Sequence, residues 1–143
     1  MMKKISSLLF LGIIILCSGS ALHAQQDVKI IVHQKVPAVR LDQNMIQRIF
    51  LGKTRNWDDG SAIVLAILKN GSVHDAFLKN LIKRNPNQFR GYWNKAIFTG
   101  TGTFPKTFSD ESEMLKFVAE TPGAIGYVSE KIIDAEVKVI TVE

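Results

Sequence analysis

Apolar positions along this chain switch between two periods. DVKIIVHQ, residues 27–34, is rich in β-branched side chains and predicts an opening strand. In LDQNMIQRIFLG the spacing lengthens. Met45, Ile46, Ile49 and Phe50 fall on one face of a helix, Asp42 stands where a cap belongs, and Gly52 holds the left-handed position that ends a helix. SAIVLAILK, 61–69, is apolar enough to predict a strand buried on both faces. Val73, Phe77 and Leu81 then recur every four residues beside Leu78 and Ile82, with Lys79, Asn80 and Lys83 facing out.

Two further helices follow. Asn85 caps the first, Pro86 takes its first position, and Phe89, Trp93, Ala96 and Ile97 form its inner face. Ser109 is placed to cap the second. Asp110, Glu111 and Glu113 suit the positive end of its dipole, and Pro122-Gly123 stop it. AIGYVS and EVKVITVE close the chain as strands. Strands interleaved with helices, without repeats or low-complexity linkers, predict an α/β domain.

The first residues break this pattern. Lys3 and Lys4 precede an apolar run from Leu8 to Cys17, and small residues follow in SGSALHA. This order predicts a secretory signal peptide over 1–24, too short in its apolar part to span a bilayer, with cleavage after Ala24 or Ala21. Cys17 would be the acceptor in a lipoprotein, but Leu16 is a poor substitute for the small residue that lipid attachment wants. Of 143 residues, 119 follow Ala24, enough for one domain over 25–143 with one core. Losing Lys3 and Lys4 lowers the net charge from +5 to +3, and the only cysteine goes with them. The remaining chain has no thiol chemistry, is expected in the periplasm, and carries a mild positive charge that suits an anionic partner.

Candidate chemistry gathers at Lys69-Asn70-Gly71-Ser72-Val73, where a strand passes directly into a helix. Free N–H groups and the helix dipole favour an anion there. Gly71 lets a ligand approach the backbone, Ser72 adds a donor, and Lys69 could add a charge. The same letters also serve as a tight turn with a serine cap and need no ligand. Gly100 and Gly102 in FTGTGTFP are not a dinucleotide fingerprint, because Pro105 replaces the third glycine. A connector, or a small anion nest, fits the segment. NWDDG lacks the alternate acids of a calcium loop and reads as a turn.

His33 and His74 lie on different elements, with no acidic or cysteine cluster to mark a metal site. His74 reads as a helix-start residue that caps or is solvated. No triad or carboxylate pair is spaced for catalysis, so neither an enzyme nor a cofactor is expected. Lys79, Lys83, Arg84, Arg90 and Lys95 read as a solvated basic face rather than a nucleic-acid surface, since export disfavours that partner and the aromatic residues here sit at core spacing.

IQRIFLGKTRNWDDGSAI, KNGSVHDAF and TPGAIGYVS, in that order, resemble the substrate-binding component of the bacterial phosphate ABC importer. The chain is most similar to short exported relatives of that component, which also carry a YWNKAIFTGTGTFPK block. The resemblance runs from about Met45 to Ser129. It implies one lobe of a type-II periplasmic binding protein, a mixed sheet flanked by helices, with no catalysis. It also implies phosphate or a related oxyanion held by Ser72 and the amides of Gly71 to Val73, with Lys69 near the place of an arginine.

The chain departs from the long family where Ser-Gly-Thr becomes Gly71-Ser72-Val73, which loses a hydroxyl. Asp75 also falls in the first helical turn, where a carboxylate competes with an anion. One lobe offers a half-site, to be completed by an ABC permease, a second copy or another envelope protein. The alternative is an envelope interaction module that keeps the fold without the ligand. A buried Trp57 would count against it and an exposed one for it.

Overall fold

The computed structural model describes residues 27–143. The expected signal peptide, with Lys3, Lys4 and Cys17, lies outside the described residues. The α/β expectation holds: among the described residues, four α-helices accompany one six-stranded mixed sheet.

The strands are β1 (Val28–Val32), β2 (Arg40–Leu41), β3 (Val64–Leu68), β4 (Lys106–Phe108), β5 (Ala124–Ser129) and β6 (Lys138–Val142). Their order across the sheet is β2-β6-β1-β5-β3-β4. β1 runs antiparallel to both β5 and β6, while β3 is parallel to β5 and to β4. β2 and β4 are short edge strands that the sequence pattern did not predict, because two or three residues carry no readable period.

Every residue of the central strand β5 is buried, and its period of two divides the core. Tyr127 meets the helices α1 (Gln43–Phe50) and α2 (Ser72–Phe77): its ring stacks on Phe77 at 3.7 Å and meets Phe50 at 5.9 Å. Gly126 faces α4 (Glu111–Glu120) on the other side. A Cβ there would stand 2.8 Å from Met114 Sδ, so glycine sets how closely α4 approaches.

Capping is close to expectation. Asp42 accepts from the Met45 amide at 2.6 Å, and Gly52 ends α1 with φ of 68°. Asn85 and Gln88 form a reciprocal capping box at the start of α3 (Pro86–Phe98). One cap moves: Asp110, not Ser109, caps α4 by accepting from Glu113 N at 2.9 Å. Ile97, expected inward on α3, is 43% exposed, and Phe98 beside it is 93% exposed.

The helix that begins at Ser72 also changes pitch. After Phe77 it widens into a π turn over Leu78–Ile82 and ends at Lys83 in the left-handed region. A π turn leaves carbonyls poorly matched to donors. Gln47 Nε2 donates to the Leu81 carbonyl at 3.0 Å and Gln43 Nε2 to the Asn80 carbonyl at 3.1 Å, so α1 supplies the missing partners.

Candidate functional site

The parallel pair β3 and β4 end side by side, and each leads into a helix. β3 turns through residues 69–71 into α2, while β4 turns through Ser109 and Asp110 into α4. Two helix N-termini therefore converge on one cleft at the carboxyl edge of the sheet, the usual ligand position in open α/β folds. The cleft encloses about 260 Å³. Asn70, Gly71, Ser72 and Val73 form one wall. Ser109, Asp110 and Glu111 form the other, and Leu68 also lines it.

Gly71 makes the first wall. Its φ of 105° and ψ of 169° lie in a region closed to residues with a Cβ, and a Cβ there would meet nothing within 4 Å. The position demands glycine for backbone conformation, not for packing. With no side chain at the cap, α2 begins without a side-chain hydrogen bond. The first N–H whose acceptor lies in the helix start is that of Asp75, which donates to the Gly71 carbonyl at 3.0 Å. The amides of Ser72, Val73 and His74 precede it and hold the positive end of the helix.

The two predicted sources of charge fall differently from expectation. Lys69 is exposed and is not part of the cleft wall. Its amide donates to the Phe108 carbonyl at 2.9 Å, which ties β3 to β4. Asp75 is exposed too, and its carboxylate does not line the cleft. The negative charge comes instead from α4. Asp110 caps that helix, and the Glu111 carboxylate accepts from the Ser129 amide. Ser109, released from capping, lines the cleft. Neither acid was singled out for this wall, because their place depends on the parallel pairing of β3 with β4.

His74 corrects the sequence reading most clearly. Rather than capping or being solvated, it is buried, 5% exposed. The Tyr127 hydroxyl accepts from Leu68 N–H at 2.9 Å and lies 2.5 Å from His74 Nδ1. The hydroxyl also has one proton to place in this buried site, and Nδ1 is the acceptor within reach, which pairs it with neutral His74 protonated on Nε2. Burial lowers the His74 pKa, Asp75 opposes that shift and Arg90 adds to it. Burial likewise pushes the Tyr127 hydroxyl up, so it stays a donor.

Other sequence candidates resolve simply. In the 98–105 segment, Gly100 N–H donates to the Ile97 carbonyl, and the amides of Thr101 and Gly102 both donate to Ala96. Those donors cap α3 from within, so they form no anion nest. Asp59 lies in a turn, its carboxylate lowered in pKa by the Ser61 hydroxyl and amide. Trp57 is 6% exposed and donates to the Gly123 carbonyl at 3.0 Å. Arg84 lies 5.0 Å over the Tyr92 ring, while Lys79, Lys83, Arg90 and Lys95 are solvated as expected. Among the described residues no three acids, histidines or cysteines gather as metal ligands, and no helix is long and apolar enough to cross a membrane.

No family model matches the sequence, and no curated protein does. Solved structures do. A phosphate ABC transporter substrate-binding protein from Clostridium perfringens, solved with bound phosphate, superposes with a TM-score of 0.65 at 22% identity, over 80% of this chain and 44% of its own. An ABC-type phosphate transport receptor from Vibrio cholerae gives 0.62 at 19%, over 80% and 45%. A phosphate-binding protein from Stenotrophomonas maltophilia gives 0.62 at 20%, over 82% and 39%. This chain therefore shares the fold of part of these proteins and spans less than half of their length.

Proposed function

We propose that this chain is an exported, non-catalytic solute-binding-type protein that recognises phosphate or a related oxyanion at residues 70–73. The observation that carries this reading is the bare first turn of α2, opened by Gly71 onto a cleft at the carboxyl edge of the sheet. Backbone N–H groups fixed before binding cost little reorganisation when an anion arrives, and the helix dipole adds to their pull. The shared fold supports it, since the neighbours include a protein holding phosphate. The signal-peptide pattern supports export. Coupling to phosphate transport, with a permease, a second copy or another envelope protein completing the half-site, belongs to the same proposal.

The opposite wall narrows the ligand. Asp110 and Glu111 repel an anion that carries no proton, yet a carboxylate accepts well from one that does. Hydrogen phosphate keeps a proton at neutral pH and sulfate does not, so phosphate is the favoured oxyanion. Calorimetric titration at pH 7 tests this. Phosphate binds more tightly than sulfate, and Ser72→Ala, which removes a donor to a charged group worth about 1.5–3 kcal/mol, weakens phosphate by roughly ten- to a hundredfold. Tens of millimolar phosphate that neither release heat nor raise the melting temperature would refute the assignment.

The rival reading, an envelope interaction module, has the bared Phe98 and Ile97 in its favour. The buried Trp57 counts against the form of it that docks through that ring.

A further inference from the structure

A second and larger cleft, about 640 Å³, opens beside the amino end of β3, at the other end of the strand from the oxyanion seat. Its space arises from the sheet register. β4 pairs only with Ala66, Ile67 and Leu68, so Val64 and Leu65 have no neighbouring strand on that side. The turn after α1, the helix α3 and the 99–106 segment close around the gap.

Its walls combine two chemistries. Lys53, Arg55 and Lys106 line it and no carboxylate is among the lining residues, so the formal charge of its walls is positive. Leu65, Trp93 and Phe104 supply an apolar floor, with Phe104 40% exposed. The volume lies in the range of small-molecule sites, and an apolar surface with a few fixed polar groups is their usual make-up.

Arg55 is held in place before any ligand arrives. Its Nε donates to the Gly52 carbonyl at 3.3 Å and its Nη2 to the Thr101 carbonyl, so the guanidinium bridges two walls. Nη1 has no acceptor among the described residues. The floor is equally fixed. A Cβ at Gly52 would stand 2.9 Å from the Trp93 ring and one at Gly102 3.1 Å from it, so the indole is gripped between two glycines. Its Nε1 is buried with no acceptor among the described residues.

We infer that this cleft is a second binding site, for a small organic anion. The ligand's apolar body lies on Leu65, Trp93 and Phe104, and its single carboxylate meets the free side of Arg55 within the field of Lys53 and Lys106. An inorganic anion would gain nothing from the apolar floor, and a neutral apolar molecule would leave the cations unused. The site stands or falls independently of the oxyanion seat.

The test titrates the protein with 4-phenylbutyrate, 4-phenylbutanol and inorganic phosphate, read by calorimetry and by the two indole N–H signals in ¹H–¹⁵N spectra. Phenylbutyrate is expected to shift the Trp93 signal, leave Trp57 in place, and bind at least about fivefold more tightly than the alcohol. Arg55→Met weakens it by about fivefold or more. Because Arg55 also ties two loops together, Lys53→Met and Lys106→Met provide variants that leave those bonds intact, and each weakens binding about twofold. Ser72→Ala leaves it unchanged. Absence of binding at 10-fold above about 1 mM, equal affinity for acid and alcohol, an unmoved Trp93 signal, or displacement by equimolar phosphate would each overturn the inference.

Discussion

Tyr127→Phe is the substitution whose cost follows most directly from the structure. The ring is fully buried and keeps its stacking on Phe77, so only the hydroxyl is lost. That oxygen serves two buried partners, Leu68 N–H at 2.9 Å and His74 Nδ1 at 2.5 Å. Each orphaned buried polar group costs about 1–3 kcal/mol, and the apolar replacement returns a little. The net loss is about 3 kcal/mol, or roughly 12 °C in Tm for a chain of this length. Urea unfolding at pH 8, followed by tryptophan fluorescence, measures it with His74 neutral in both states. A loss below about 1 kcal/mol would show that water or a local shift replaces the hydroxyl, and the linkage would be unimportant.

The same linkage sets a pH dependence. Burial places the folded-state pKa of His74 below its ordinary value, against the opposing pull of Asp75 and with the help of Arg90. The unfolded chain then binds more protons in that window, so stability rises with pH. The contribution is fully present above about pH 6.5 and is lost as pH falls through the lower, folded-state value. Protonated Nδ1 could no longer accept from Tyr127. In Tyr127→Phe that hydrogen-bond part disappears while the larger burial part stays, so the acid-side loss shrinks without vanishing.

Two other substitutions probe the frame around the clefts. Gly123→Ala combines a φ of 81° with a Cβ that would overlap the Ala62 carbonyl oxygen, next to the carbonyl that holds Trp57. It should cost more than about 3 kcal/mol in chemical denaturation, and a loss under about 1 would mean the turn relaxes freely. Asn85→Ala removes the side-chain half of the capping box on α3 and leaves the residue-85 N–H donating to Gln88; it should cost about 1 kcal/mol in the same assay, with loss below about 0.3 kcal/mol counting against the cap.

How far the sequence can be read depends on whether a feature is local. The caps at Asp42 and Asn85 and the left-handed Gly52 follow from neighbouring residues, and the structure has all of them. Val73, Phe77 and Ile82 are buried as their spacing implied, but the π turn beneath them answers to glutamines on another helix. His74 looked solvated because its partner, Tyr127, lies 53 residues away. Asp110 and Glu111 reach the cleft wall only through the pairing of β3 with β4, and no local signal announces that register. The larger cleft is a matter of register too, since it exists because β4 stops short of Leu65.

The two helix starts at the proposed oxyanion seat differ in one atom group, and under that proposal the difference decides which of them serves the ligand. Asp110 returns its own carboxylate to the first turn of α4, so part of that helix's donor capacity is spent within the chain. Gly71 has nothing to return, so the first amides of α2 must find partners elsewhere. Water can satisfy them, and an anion does so while also neutralising the dipole. Because donors line one wall of the proposed seat and acids the other, it would suit a ligand that accepts on one face and donates on the opposite one. Hydrogen phosphate has both faces. This asymmetry, rather than net positive charge, is the physical case for the proposal that phosphate binds here.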